Sequence, residues 1–198
     1  MNYYKSLLET TENTRDLGGY VCFDGTVTRR MSLIRSDVQK RPSERDIAFL
    51  IDNQITTVID MRSEEQRAKA SSGLERIEGL FYHHCPMEDG AGSPNSTQTD
   101  IPGGYMKIAE SKGALSVFRT IAAAPKGVIF NCVAGKDRTG VISAILLLLA
   151  DVAEKDVVTD YLLTREYGAG RLKAVREKYP DADMNLIIPN AGDRKSVV

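Results

Sequence analysis

Residues 127–150, GVIFNCVAGKDRTGVISAILLLLA, decide how this sequence is read. Gly127 to Cys132 is a short apolar run that predicts a buried strand, and Thr139 to Ala150 is apolar almost all round, which predicts a central helix. Between them runs Asn131-Cys132-Val133-Ala134-Gly135-Lys136-Asp137-Arg138-Thr139-Gly140, a loop that turns the strand into the helix. In such a turn the backbone N–H groups can converge on one point, and the helix N-terminus adds positive potential there. A phosphate or sulfate dianion fits that cradle, with Val133, Ala134, Gly135, Lys136, Asp137 and Arg138 as the expected binding residues. Arg138 would grip two oxygens with its fork. Cys132 would lie beneath the phosphorus, its thiolate favoured by the amides, the helix terminus and Arg138. Thr139 would hydrogen-bond the sulfur or assist a later attack by water. Gly135 permits the tight loop, and Gly140 is expected to let the helix pack closely on the sheet. Cysteine followed six residues later by arginine is a weak signal alone. Neither Cys22 nor Cys85 has such an arginine, and the glycines, Thr139 and the strand-to-helix setting make this instance specific.

Outward from the loop, hydrophobic and turn signals predict strands alternating with helices. Residues 20–34 read as a hairpin around Asp24-Gly25. Ser43 with Asp46 caps a helix bearing Ile47, Leu50 and Ile51 on one face, and Ser63 with Gln66 caps a second. TTVIDM (56–61) and LFYHHCPM (80–87) read as strands, the latter ended by Pro86. Residues 88–104 read as one long loop in which Glu88 and Asp100 are solvated charges. Helical spacing resumes from Tyr105, as two helices broken near Gly113, and returns near 154–167 and 171–179. The pattern predicts an α/β fold, a mainly parallel central sheet flanked by helices, in one domain over residues 1–198.

Composition narrows the function classes. The 198 residues are 42% hydrophobic and 27% charged with a net charge of −1, a balance that argues against nucleic acid or anionic lipid as partner. The most apolar run, residues 140–150, is short of the roughly 20 residues a membrane span needs. The acidic N-terminal stretch does not read as a signal peptide, so a cytoplasmic protein is expected, with non-classical export left open. Three cysteines without a CxxC pair predict neither a disulfide framework nor a metal site, and no cofactor is expected. His83 and His84 fall on opposite faces of a strand and cannot line one site together.

CVAGKDRTG resembles the signature loop of cysteine-based phosphatases, and its AGKDRTG part is similar to the bacterial tyrosine and lipid phosphatases of the Listeria and Mycobacterium type. NTRDLGGY (13–20) is similar to that family's NFRDLGGY, and Arg35-Ser36, VIDMRS (58–63) and DYLLTREY (160–167) resemble further blocks in the same order. The resemblance spans roughly residues 13 to 190. It implies a protein-tyrosine-phosphatase-like α/β fold, no metal and a cysteinyl-phosphate intermediate. The implied substrate is a phosphotyrosine protein or another phosphoprotein. A phosphoinositide or soluble inositol phosphate is the alternative, favoured by Lys136 in the loop. Asn13, Arg15 and Asp16 are expected to brace the catalytic loop, with Arg62 doing the same from its strand.

Two departures stand out. The family normally carries histidine before the nucleophile, where this chain has Asn131, removing one usual support for the thiolate. Few residues follow LIIPN, so part of a substrate-covering lid is expected to be missing. Both keep a phosphate-binding pseudophosphatase open as a reading of another class. For the proton donor to the leaving group, Asp137 within the loop is expected, since a bound phosphate dianion would raise its affinity for a proton. Asp89, after the strand at 80–87, is the alternative acid.

Overall fold

In a computed structural model the placed residues are 4–88, 100–181 and 184–189. Five strands form one sheet: β1 (Arg15–Asp16), β2 (Leu33–Ser36), β3 (Ile55–Asp60), β4 (Phe81–His84) and β5 (Gly127–Asn131). Their order is β1-β2-β5-β3-β4, antiparallel only where β1 meets β2. The β-branched runs predicted as strands thus form the parallel core, with the loop-bearing β5 at its centre, paired on both sides.

The helices are α1 (Glu44–Asp52), α2 (Glu64–Lys69), α3 (Ile101–Ala109), α4 (Lys112–Ala123), α5 (Asp137–Leu149), α6 (Glu154–Tyr167), α7 (Ala169–Lys178) and α8 (Met184–Ile187). Side-chain alternation on the strands divides the core in two. Val128 and Phe130 of β5 and Ile59 of β3 pack with Tyr105, Val117, Ile142 and Val157 from α3 to α6. Ile129, Val58 and Ile34 pack on the opposite face with Leu50 of α1 and Leu8. Both capping boxes form, Ser43 with Asp46 and Ser63 with Gln66.

Several expectations need correction. The hairpin at Asp24-Gly25 is small: Val21 bridges Val27, while Leu33–Ser36 joins the main sheet in parallel with β5. On α1 the buried face centres on Asp46 and Leu50, and Ile51 is half exposed. Asp46 turns inward because its carboxylate, besides closing the cap, accepts bonds from the Glu9 and Thr10 amides. Residues 89–99 of the expected loop lie outside the described residues, and its last residues belong to α3, whose cap is Asp100, an exposed residue that accepts from Gly103 N–H at 2.9 Å. Pro102 suits that first helical turn, where its missing N–H costs nothing. The helix break falls at Glu110–Ser111 instead of Gly113, with Ser111 capping α4. Gly113 lies inside α4 because a Cβ there would sit 2.5 Å from Pro86 O and Met87 Cγ. Gly140 serves a different contact from the one expected: its Cβ position faces the Tyr161 ring of α6 at 3.2 Å.

Candidate active site

Residues 132–136 carry the chain from β5 to the N-terminus of α5. Gly135 has φ +66, and a Cβ on it would lie 2.8 Å from the backbone of Ser36 and Asp37. Glycine is therefore required twice, by the dihedral and by the close approach of β2. Three consecutive loop carbonyls are held on the outer side. Val133 O accepts from Val38 N–H and from Arg171, each at 3.4 Å. Asn13 Nδ2 donates to Ala134 O and Gly135 O, both at 3.0 Å. Arg35 donates to Gly135 O at 2.8 Å. In a trans peptide the N–H points opposite to the carbonyl that precedes it. Fixing those carbonyls outward turns the Ala134, Gly135 and Lys136 amides inward, and none of the three donates to a partner among the described residues. The result is a run of amide donors beside a helix N-terminus, a place where backbone N–H groups and the helix dipole favour negative charge.

Behind the loop lies a buried ionic cluster. Asp160 of α6 binds Arg15 at 2.9 Å and also Arg35, and Thr164 accepts from Arg15 at 3.1 Å. Burial alone would raise the Asp160 carboxyl, but the two guanidinium groups outweigh it and hold it down to about 2. Arg15 also donates to Asn13 Oδ1, which orients that amide toward the loop carbonyls. Asn13 thus braces the loop directly and Arg15 through it, as expected. Asp16 does not: it accepts from Gly18 and Met31 amides and stays with its own turn. Arg62 does not either, since it pairs with Asp60 and donates to Ala70 O. In the sequence Arg35 and Asp160 stand only within the blocks Arg35-Ser36 and DYLLTREY. A carboxylate between Val157, Tyr161 and Thr164 on a buried helix face was the available signal, because it demands a cation.

The side chains of the loop occupy distinct positions. Cys132 is 3% exposed at the end of β5. Arg138 is buried, and its Nη1 donates to Gln66 Oε1 at 2.9 Å, Met87 O at 3.1 Å and Met61 O at 3.3 Å. Three segments thereby fix the guanidinium, and Gln66 adds this duty to its capping role. Thr139 Oγ1 is buried with no hydrogen-bond partner among the described residues. Asn131 is fully buried, donating to its own neighbour Cys132 O at 3.3 Å and to Asp60 at 3.4 Å. Lys136 is 7% exposed; its ammonium donates to Ile187 O of α8 at 2.9 Å and lies 3.2 Å from Asp137 Oδ1. Tyr105 Oη donates to that same Asp137 oxygen at 2.8 Å, a contact the sequence did not reveal. Asp89 lies outside the described residues. Among them no cluster of His, Cys, Asp or Glu is arranged to hold a metal ion. His84 Nε2 contacts Arg62 O, and His83 lines a separate cleft with Phe81 and Arg119.

The chain is similar to proteins named as phosphatases. A Cupriavidus necator protein assigned as a tyrosine-protein phosphatase is 27% identical over 214 residues, covering 90% of this chain and 77% of that protein. A tyrosine-protein phosphatase of Nostoc commune is 42% identical over 150 residues, covering 69% of this chain but only 48% of its own length. P. aeruginosa TpbA, solved in complex with pTyr, shares 18% identity at a TM-score of 0.46 over 86% of this chain and 88% of that one. A human tyrosine phosphatase-like serine/threonine/tyrosine-interacting protein shares 15% at a TM-score of 0.41 over 84% and 88%. Residues 6–193, nearly the whole chain and every residue of the loop and its brace, match the profile of the tyrosine phosphatase family, and to that family this protein belongs.

Proposed function

We propose that this protein hydrolyses phosphotyrosine in proteins through a cysteinyl-phosphate intermediate. The observation that carries the reading is the cradle: three loop carbonyls held outward, their amides turned inward, and Cys132 and Arg138 at its two ends. The Cys132 thiolate attacks phosphorus in line, forming the S–P bond as the bond to the tyrosine oxygen breaks. The inward amides and Arg138 bear the charge on the equatorial oxygens. Asp137 gives its proton to the departing oxygen and then takes one from the water that cleaves the S–P bond. Thr139, whose hydroxyl has no other engagement among the described residues, assists at the sulfur. Three free cysteines suit a reducing cytoplasm.

Lys136 bears on the substrate. The inositol phosphate reading needs its ammonium for a polyanionic head group, yet that ammonium is engaged with Ile187 O and Asp137. This favours phosphotyrosine. Asn131 motivates the pseudophosphatase reading, but its substitution leaves Cys132, Arg138 and the amides in place. The test is phosphate release from a phosphotyrosine peptide and from inositol phosphate head groups, with rapid acid quench to find phosphate on Cys132. Cys132→Ser should bind the peptide without turnover, and Arg138→Lys should be nearly as damaging as Arg138→Ala because a point charge cannot replace the fork. Peptide binding with no phosphate release by the unaltered protein would make it a pseudophosphatase.

A further inference from the structure

Asp137 is held in an unsymmetrical way. Both donors that reach its carboxylate meet Oδ1: Tyr105 Oη at 2.8 Å and the Lys136 ammonium at 3.2 Å. Oδ2 has no partner among the described residues. Behind Tyr105 stands Tyr161 of α6, hydroxyl to hydroxyl at 2.7 Å, with the two rings edge-on at 6.3 Å between centroids. An ionised carboxylate only accepts, so Tyr105 must donate to Asp137 and its own oxygen is then satisfied by the Tyr161 hydroxyl. Both tyrosines are almost fully buried, at 2% and 3% exposure. Burial first, then Asp137 and Tyr161, push the Tyr105 phenol far above its usual range, so it remains a neutral donor at any working pH.

The geometry points to Tyr105, backed by Tyr161, as a positioning residue that occupies Asp137 Oδ1 and so makes Oδ2 the oxygen that carries the proton to the leaving group. This deepens the proposed function and rests on Asp137 being its acid. In the first step the Oδ2 proton passes to the tyrosine oxygen as S–P forms and P–O breaks. In the second, Oδ2 takes a proton from the attacking water as the S–P bond breaks and the Cys132 thiolate leaves. Tyr105 donates to Oδ1 throughout, which stabilises the carboxylate present between the two steps. The groups that reach Asp137 are Tyr105 from α3, with Tyr161 of α6 behind it, and Lys136 from its own loop. Of these, only the Tyr105–Tyr161 pair supplies a neutral bond that can be removed without altering charge.

The experiment is Tyr105→Phe, which keeps the ring in its packing and removes one oxygen. An acid must be protonated to work, so turnover falls as pH rises through its pKa; losing a donor to the carboxylate raises that pKa and moves the limb upward. The basic limb of kcat on a phosphotyrosine peptide should move up by about one pH unit, with about a tenfold loss of kcat at its plateau. The loss on para-nitrophenyl phosphate, which departs without protonation, should be much smaller. Tyr161→Phe should shift the limb in the same direction by less. In an Asp137→Asn background, Tyr105→Phe should add nothing. If Asp137→Asn is selectively poor on the peptide while Tyr105→Phe leaves the limb in place and harms both substrates equally, Tyr105 only packs and the inference fails alone. If Asp137→Asn shows no preference between the substrates, the acid assignment fails and takes the inference with it.

Discussion

Two buried arginine–aspartate clusters flank the centre of the sheet, and they do different work. On one side Asp160 joins Arg15 and Arg35, and Arg35 and Asn13 pass that anchorage to the carbonyls of Ala134 and Gly135. On the other, Asp60 joins Arg62 and accepts from Tyr82 at 2.6 Å, and Arg62 closes onto Ala70 O after α2. Their chemistry is the same. Burial alone would raise the Asp60 carboxyl too, and bonds from Arg62 and Tyr82 bring it below its usual range. Only the first cluster reaches the carbonyls of Ala134 and Gly135; the second touches the chain before them, where Asn131 donates to Asp60 at 3.4 Å and to Cys132 O at 3.3 Å. A buried arginine near a site is thus no argument for a role in it; the atom it donates to decides.

The sharpest way to break this contrast is Asp160→Asn. Two buried guanidinium groups would lose their counter-charge, and breaking a buried pair costs about 3–5 kcal/mol. We expect a large fall in the urea midpoint, together with the largest fall in kcat/KM of the variants in this series, because Gly135 O loses its fixed donor. A normal kcat/KM in the folded fraction would show that the cluster holds α6 and nothing more. Next in effect is Asn13→Ala, which removes the donor shared by two loop carbonyls. Each lost hydrogen bond is worth about 1 kcal/mol, so kcat/KM should fall about tenfold with only a modest change in Tm. Unchanged kinetics would mean Arg35 suffices to orient the loop.

Asp60→Asn sharpens the comparison from the other side. It should cost stability on a scale like that of Asp160→Asn, since Arg62 is left buried, while kcat/KM of the folded protein stays within about threefold. A loss as deep as that of Asp160→Asn would make the two clusters equivalent. The smallest effect concerns pH. A carboxyl whose folded pKa is depressed adds stability above its unfolded value, near 3.9, and that stability is lost as pH falls through the folded pKa. Urea midpoints between pH 7 and pH 2 should therefore fall in the unaltered protein and fall less steeply in Asp160→Asn, whose side chain does not titrate. Parallel curves would assign the acid sensitivity to other carboxylates.

Much of the fold could be read directly because its signals are local. Both capping boxes and strands β3, β4 and β5 rest on residues within a few positions of one another. The Cys132–Arg138 spacing and Gly135 pointed to the loop for the same reason. Where local signals compete, contacts from elsewhere in the chain decide. Pro102-Gly103-Gly104 looked like loop and is the first turn of α3, because Asp100 caps it. Gly113 looked like a helix breaker and is the place where the chain after β4 presses on α4. Ile51 obeyed helical spacing yet faces outward, because Asp46 took the inner face for a bond to the distant N-terminal segment.

That a strand enters a glycine-bearing loop and leaves as a buried helix, with a cysteine and an arginine at the loop's two ends, follows from the residue order. Those facts depend on covalent order and short-range sterics, which the residues carry with them. Tertiary structure alone decided which way the loop's peptide planes face. That choice is made by Asn13 and Arg35, and behind them by Asp160, residues about a hundred or more positions from their partners. Tertiary structure likewise brought Tyr105 and Tyr161 to one oxygen of Asp137. A hydrogen bond between separate helices depends on how those helices are packed, and no pattern within either helix encodes where the other will stand.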